Sequence, residues 1–231
     1  MFDLTLSFDN GPDPEVTPHV LDVLARRNLR ATFFVIGEKI AQPARWALAE
    51  RAQAEGHWIG NHSYTHSTPF GLRNEPGIAS IEIGRTQDAI GKLAYPRKYF
   101  RPFGGGGHLD RRLLSSETVA YLERERYTCV LWNSIPRDWE DPEGWVPRAL
   151  AQCRALPQSE TNWTLMVLHD LPTGAMRHLD RFLGEVADAG GHIRQEFPPD
   201  CVPIVDGIAV APLDRYVTAV TGDRNKQKIA R

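Results

Sequence analysis

The residues with the greatest chemical reach in this chain stand in small clusters, and two of the clusters together have the content of a metal-assisted hydrolytic site. His62-Ser63-Tyr64-Thr65-His66 places two imidazoles four residues apart. On a helical turn that spacing puts both rings on one face, where they can share a metal ion. Spacing alone is weak evidence, because surface or hydrogen-bonded histidine pairs repeat it, and a third ligand has to come from elsewhere. Phe8-Asp9-Asn10-Gly11-Pro12 offers one. A side-chain oxygen of Asn10 would face the metal, while the neighbouring Asp9 carboxylate would take a proton from metal-bound water. The same residue types are also the commonest in turns. Arg101 to Gly107, Asp138-Trp139 and His169-Asp170 complete the set. Taken singly they read as ordinary structure: a salt bridge for Arg101 or Asp138, a satisfied core histidine for His169, core packing for Trp139 and Leu168.

The elements around these clusters are strands and helices in alternation. Leu4, Leu6 and Phe8 alternate with Thr5 and Ser7, the period of a half-buried strand, which stops at Asn10-Gly11-Pro12. Thr17 to Arg27 suits a helix, and Ala31 to Gly37 reads as a fully buried strand. Helices follow near Gln42 to Glu55, within Ile78 to Leu93, and at Arg111 to Arg126, Glu143 to Cys153 and Met176 to Ala189. Strands are expected at Trp58 to Gly60, Lys98 to Phe100, Thr128 to Trp132 and Thr164 to Leu168, and Val205-Asp206-Gly207-Ile208 reads as a tight hairpin. Such alternation predicts parallel strands wrapped by helices. Each chemical cluster then falls just after a strand, at the end where barrels of parallel strands collect catalytic groups.

Composition narrows the function. With 231 residues, 42% hydrophobic and 24% charged, the chain can bury a full core. It reads as a single domain over 1–220, with a polar tail at 221–231. Lys and Arg number 27 against 29 for Asp and Glu, a net charge of -2 that gives no general attraction to nucleic acid or an anionic membrane. A small-molecule or oligosaccharide substrate is expected instead, with oligomeric state undetermined. Cys129, Cys153 and Cys201 are odd in number and form no CxxC pair. They fit a reduced cytoplasm, as does a first segment without a basic stretch and apolar run.

In order and content, the clusters resemble the NodB-type polysaccharide deacetylases, carbohydrate esterase family four. Ser7-Phe8-Asp9-Asn10-Gly11-Pro12 is similar to the family's Thr-Phe-Asp-Asp-Gly-Pro, and His62 to His66 matches its His-Ser/Thr-x-x-His. Arg101-Pro102-Phe103-Gly104 is similar to the Arg-Pro-Pro-Tyr-Gly loop, Asp138-Trp139 to the Asp-Trp motif, and Val167-Leu168-His169 to Leu-x-His. The resemblance runs from about Leu4 to Ala189. It implies an α/β fold, a distorted (β/α) barrel of about seven strands, and metal-assisted removal of an acetyl group from an N-acetylated sugar. Carried onto these residues, Asp9 is the general base, paired with Arg101, which favours its charged form. His169 is the general acid, held by Asp138. The Phe103 backbone N–H, with room left by Gly104, faces the oxyanion, and Trp139 and Leu168 wall the acetyl methyl. Asn10, His62 and His66 hold a divalent ion, zinc first, with nickel, cobalt and manganese as alternatives.

The chain departs from the family pattern in two places. Asn10 stands where the family has a metal-binding aspartate, so the bound ion would keep about +2 of net charge rather than about +1. Affinity should fall while the acidity of bound water rises. The run Gly104 to Gly107 also replaces a bulkier loop, which leaves space for a differently shaped substrate. Two alternatives accompany the deacetylase reading: a metal-independent hydrolase of a small cyclic amide or ureide on the same fold, and a saccharide-binding protein that has lost catalysis.

Overall fold

Strand β1 (Phe2–Asp9) sits at the centre of the molecule, and its alternation sorts two interiors. Leu4, Leu6 and Phe8 pack with Val20, Leu21 and Leu24 of helix α1 (Thr17–Arg26) and with Phe182 and Val186 of α7 (Leu179–Asp188). Thr5, Ser7 and Asp9 point to the opposite face. There they are buried too, at 0%, 0% and 4% exposure. The half-buried strand expected from the alternation is therefore buried on both sides, because its polar face lines the inside of a barrel rather than meeting water. The computed structural model describes residues 1–155 and 162–218. The expected tail at 221–231 lies outside those residues.

The barrel is wound from parallel neighbours. β1 pairs with β2 (Thr32–Val35) and β6 (Trp163–His169); β2 pairs with β3 (Trp58–Asn61), β3 with β4 (Tyr99–Phe100), and β4 with β5 (Thr128–Cys129). Helices α2 (Gly37–Ile40), α3 (Pro43–Ala54), α4 (Arg85–Ile90), α5 (Ser116–Arg124) and α6 (Trp145–Arg154) lie with α1 and α7 in the crossovers. The strand expected over Thr128 to Trp132 pairs regularly only at its start. Its continuation swings across to β6, where Ser134 bridges Met166, the Ser134 amide donates to the Leu165 carbonyl at 3.2 Å, and the Val167 amide donates to the Ser134 carbonyl at 3.0 Å. That contact draws the ends of the curved sheet together. β7 (Gly191–Arg194) adds to the N-terminal half of β1, and the hairpin β8 (Ile204–Val205) and β9 (Ile208–Ala209) joins β5 antiparallel. Asp206 and Gly207 take φ of 49° and 82°, as a two-residue hairpin turn requires.

Helix starts explain where the expected boundaries shift. α5 begins at Ser116 rather than Arg111 because the Ser115 hydroxyl caps it, accepting from the Thr118 amide. α7 is preceded by a 3-10 turn over Ala175–His178. The segment before α4 is a single π-helical turn, Ser80–Gly84. Among the described residues no helix is long and apolar enough to cross a membrane.

Candidate active site

Arg101 follows directly on β4 and is wholly buried. A buried guanidinium is tolerated only when its donors are met, and here they are. Its Nη1 donates to Asp9 Oδ1 at 2.8 Å and to Ser7 Oγ at 2.7 Å, its Nε to the Val130 carbonyl at 3.3 Å and its Nη2 to the Leu131 carbonyl at 3.2 Å. The Phe34 ring covers its face at 4.0 Å. Asp9, the last residue of β1, is thus held through one oxygen, and Oδ2 lies 3.5 Å from His62 Nε2.

His169 ends β6 and is the register partner of Asp9 on the neighbouring strand. Asp138 grips it twice, accepting from the His169 backbone amide at 2.9 Å and from ring Nδ1 at 2.9 Å. A carboxylate only accepts, so Nδ1 carries the proton and Nε2 is the nitrogen left for chemistry. Burial disfavours the imidazolium, but the hydrogen bond and charge of Asp138 outweigh it and raise the His169 pKa above the ordinary value. Trp139 stands edge-on to the imidazole, with ring centroids 4.6 Å apart.

The histidine pair is built differently from the expectation. Residues 62–66 form no helical turn: Ser63 and His66 take φ of 64° and 51°, and the segment runs as a tight loop after β3. The rings still meet, with centroids 4.6 Å apart, and His66 lies 4.1 Å from the Phe103 ring. His62 Nδ1 donates to the Arg101 carbonyl at 2.8 Å, which leaves the Nε2 lone pair on the side of Asp9. Burial pushes the His62 pKa down to about 3 and that of His66 to about 2, so both imidazoles are neutral at physiological pH, the state in which they bind metals.

Asn10 occupies the left-handed region at φ 74°, and its Oδ1 is buried without a hydrogen-bond partner among the described residues. An unpaired buried carbonyl costs roughly 1–3 kcal/mol, a cost that a bound cation would relieve. Among the described residues no group of three His, Cys, Asp or Glu side chains is arranged to hold a metal. A donor set here depends on the Asn10 amide oxygen beside two neutral imidazoles, and that set has the chemistry a divalent cation accepts. The turn owes its shape to Gly11: a Cβ there would stand 2.1 Å from Asp170 Oδ2, whose carboxyl is buried under the turn and raised to about 7 by that burial.

One cavity of about 240 Å³ brings together Asp9, Asn10, His62, His66, Phe103, Gly104, Trp139 and His169, with Arg101 and Asp138 behind it. Leu168, expected in the cavity wall, does not line it. It is fully buried on the helix-facing side of β6 among Leu6, Phe8 and Met176, and Val167 lines the cavity in its place. Side chains alternate along a strand, so the residue two before His169 shares its face and the residue one before does not. Trp132, Ile135 and Leu171 complete an apolar wall that carried no motif signal. The glycine loop fits closely around it: a Cβ on Gly104 would meet Trp132 at 2.5 Å, and one on Gly107, at φ 83°, would meet Ile135 at 2.7 Å.

Comparison with known proteins gives a consistent result. The family model "Polysaccharide deacetylase" matches residues 3–122. A chitooligosaccharide deacetylase of Rhizobium leguminosarum bv. phaseoli is 34% identical over 170 residues, covering 72% of this chain and 67% of its own length. A peptidoglycan-N-acetylglucosamine deacetylase of Bacillus cereus is 31% identical over 146 residues, covering 60% of this chain and 46% of its own. The chain therefore spans about two thirds of the first relative and under half of the second. Among solved structures, a family 4 carbohydrate esterase from Streptomyces lividans in complex with acetate superposes with a TM-score of 0.68 at 27% identity, over 91% of this chain and 98% of that one.

Proposed function

The chain belongs to the polysaccharide deacetylase family, and from that premise we propose that it hydrolyses the amide of an N-acetylated amino sugar or short oligosaccharide with the help of a divalent ion. The observation that carries this reading is the pairing of two charge-anchored groups across one cavity: Asp9 held by the Arg101 guanidinium, and His169 held by the Asp138 carboxylate, in register on adjacent strands.

Each group has one proton to manage. Asp9, charge-balanced through Oδ1, accepts the proton of the attacking water at its other oxygen. His169 delivers its Nε2 proton to the departing amine, and Asp138 stabilises the imidazolium until then. The Phe103 backbone N–H serves the developing oxyanion, and Trp139 with Val167 encloses the acetyl methyl. A divalent ion held by Asn10, His62 and His66 would supply positive charge that polarises the carbonyl and acidifies the water. Zinc suits two imidazoles best, with nickel, cobalt and manganese as alternatives. A reducing compartment is also proposed, supported by three buried thiols, Cys129, Cys153 and Cys201, that are free.

Acetate release from N-acetylchitooligosaccharides, measured after chelation and again after repletion with each metal, tests the reading. Activity that disappears on chelation and returns with metal is expected. Absence of acetate release under every metal, with intact folding, would overturn it.

A further inference from the structure

The His62–His66 loop has no regular secondary structure to hold it, yet its backbone is fixed on two sides. On one side stands the corner that leads into α2. Gly37 N–H donates to the Ser63 carbonyl at 2.9 Å, and Glu38 N–H donates to the Tyr64 carbonyl at 3.1 Å. The same corner holds the other candidate ligand turn, because Ile36 N–H donates to the Gly11 carbonyl at 3.2 Å and Lys39 Nζ to the Asn10 carbonyl at 2.7 Å. On the other side stands Glu82, only 3% exposed, in the π-helical turn Ser80–Gly84. Its Oε2 accepts from the Tyr64 and Thr65 amides at 2.9 Å each, and its Oε1 accepts from Thr65 Oγ1 at 2.9 Å and Arg73 Nη1 at 3.0 Å.

A buried carboxylate fully engaged by a loop backbone defines that loop's path, and π turns recur where a side chain must be re-aimed at a functional site. Glu82 does not line the cavity. It acts instead on the amides just before His66, whose left-handed backbone has no support of its own from a helix or strand. We propose that Glu82 is a positioning residue: it holds the 63–65 backbone against the 36–39 corner and so sets His66 relative to Asn10 for metal binding. This rests on the metal reading of the site given above. Partners behind metal ligands commonly govern affinity on the order of 10–100-fold.

Cobalt titration of the full chain, followed by visible absorption and by competition with a chelator, separates the possibilities. Glu82→Gln keeps the size of the side chain but has only one acceptor oxygen, so its NH2 group must face either the Tyr64 and Thr65 amides or Arg73 and the Thr65 hydroxyl, and one set of donors loses its acceptor. It is expected to weaken cobalt binding by on the order of 10–100-fold and to change the cobalt absorption bands, which report ligand geometry. Thr65→Val removes the hydroxyl that donates to Glu82 Oε1 and meets Ser67 Oγ at the surface, keeps both amide contacts to Glu82, and protects the test if Glu82→Gln folds poorly; a loss of about fivefold is expected, the worth of the one buried hydrogen bond to the carboxylate. Glu117→Gln, at a carboxylate that accepts from the Gly77 amide outside the cavity, should leave affinity and spectrum unchanged. Wild-type affinity and spectrum in folded Glu82→Gln, or in Thr65→Val, would overturn the positioning role while leaving the metal site standing. Failure of the wild-type protein to take up cobalt would instead overturn the metal reading, and the positioning role with it.

Discussion

The two halves of the cavity differ in how far the protein satisfies its own polar atoms. In the acid-base half, Arg101 donates to Asp9, to Ser7 and to the Val130 and Leu131 carbonyls, and Asp138 binds both the ring and the backbone of His169. In the other half, Asn10 Oδ1 is buried without a partner among the described residues, and two imidazoles are kept neutral by burial. One half is complete as a folded object, whereas the other offers lone pairs that the proposed divalent ion would complete. Preorganised dipoles and charges of the first kind cost nothing to align during reaction, while a site of the second kind makes activity conditional on a ligand.

Arg101→Met attacks the complete half hardest. It strands the Asp9 carboxylate in the interior, which should cost about 3–5 kcal/mol of stability and abolish activity. Urea denaturation measures the first, and near-wild-type stability would show that Asp9 does not depend on its partner. Next comes Asp138→Asn, which should lower kcat by roughly 10²–10⁴-fold. The pH profile carries the sign. Asp138 raises the His169 pKa, so the acid keeps its proton, and the rate should hold until pH rises through that raised value. Without the carboxylate, the alkaline limb should move to lower pH. The same linkage makes His169 stabilise the fold fully below the ordinary histidine value, a contribution lost as pH rises through the raised one.

Asn10→Asp acts on the incomplete half. A carboxylate in place of the unpaired amide oxygen should tighten metal binding by on the order of tenfold while destabilising the metal-free protein, so the rise in Tm on adding zinc should exceed that of the wild type. Equal responses would remove Asn10 from the ligand set. The smallest effect is expected at the rim, where Gly107→Ala forces a Cβ into a left-handed backbone and against Ile135. It should cost about 1–3 kcal/mol and raise KM more than it lowers kcat, a split that steady-state kinetics would show.

Much of this site is legible in the chain because its groups are local to strand ends. Asp9 closes β1, His62 follows β3, Arg101 follows β4 and His169 closes β6, so finding the strands also finds the chemistry. The alternation that revealed β1 misled only about its polar face: Thr5 and Ser7 look solvent-facing by type, yet Ser7 receives Arg101 inside the barrel. The slip between Leu168 and Val167 is a matter of one residue, and in a strand one residue changes the face.

Residue type and a period of two already say which side chains could act and that strands would present them at one end. What surrounds each of them comes from the folded barrel. Glu82 reaches the His62–His66 loop from 17 and 18 residues away, and Arg101 reaches Asp9 from 92. Contacts at such separations leave no mark in local pattern, because they depend on barrel closure, which buries the groups and thereby sets their partners and their protonation.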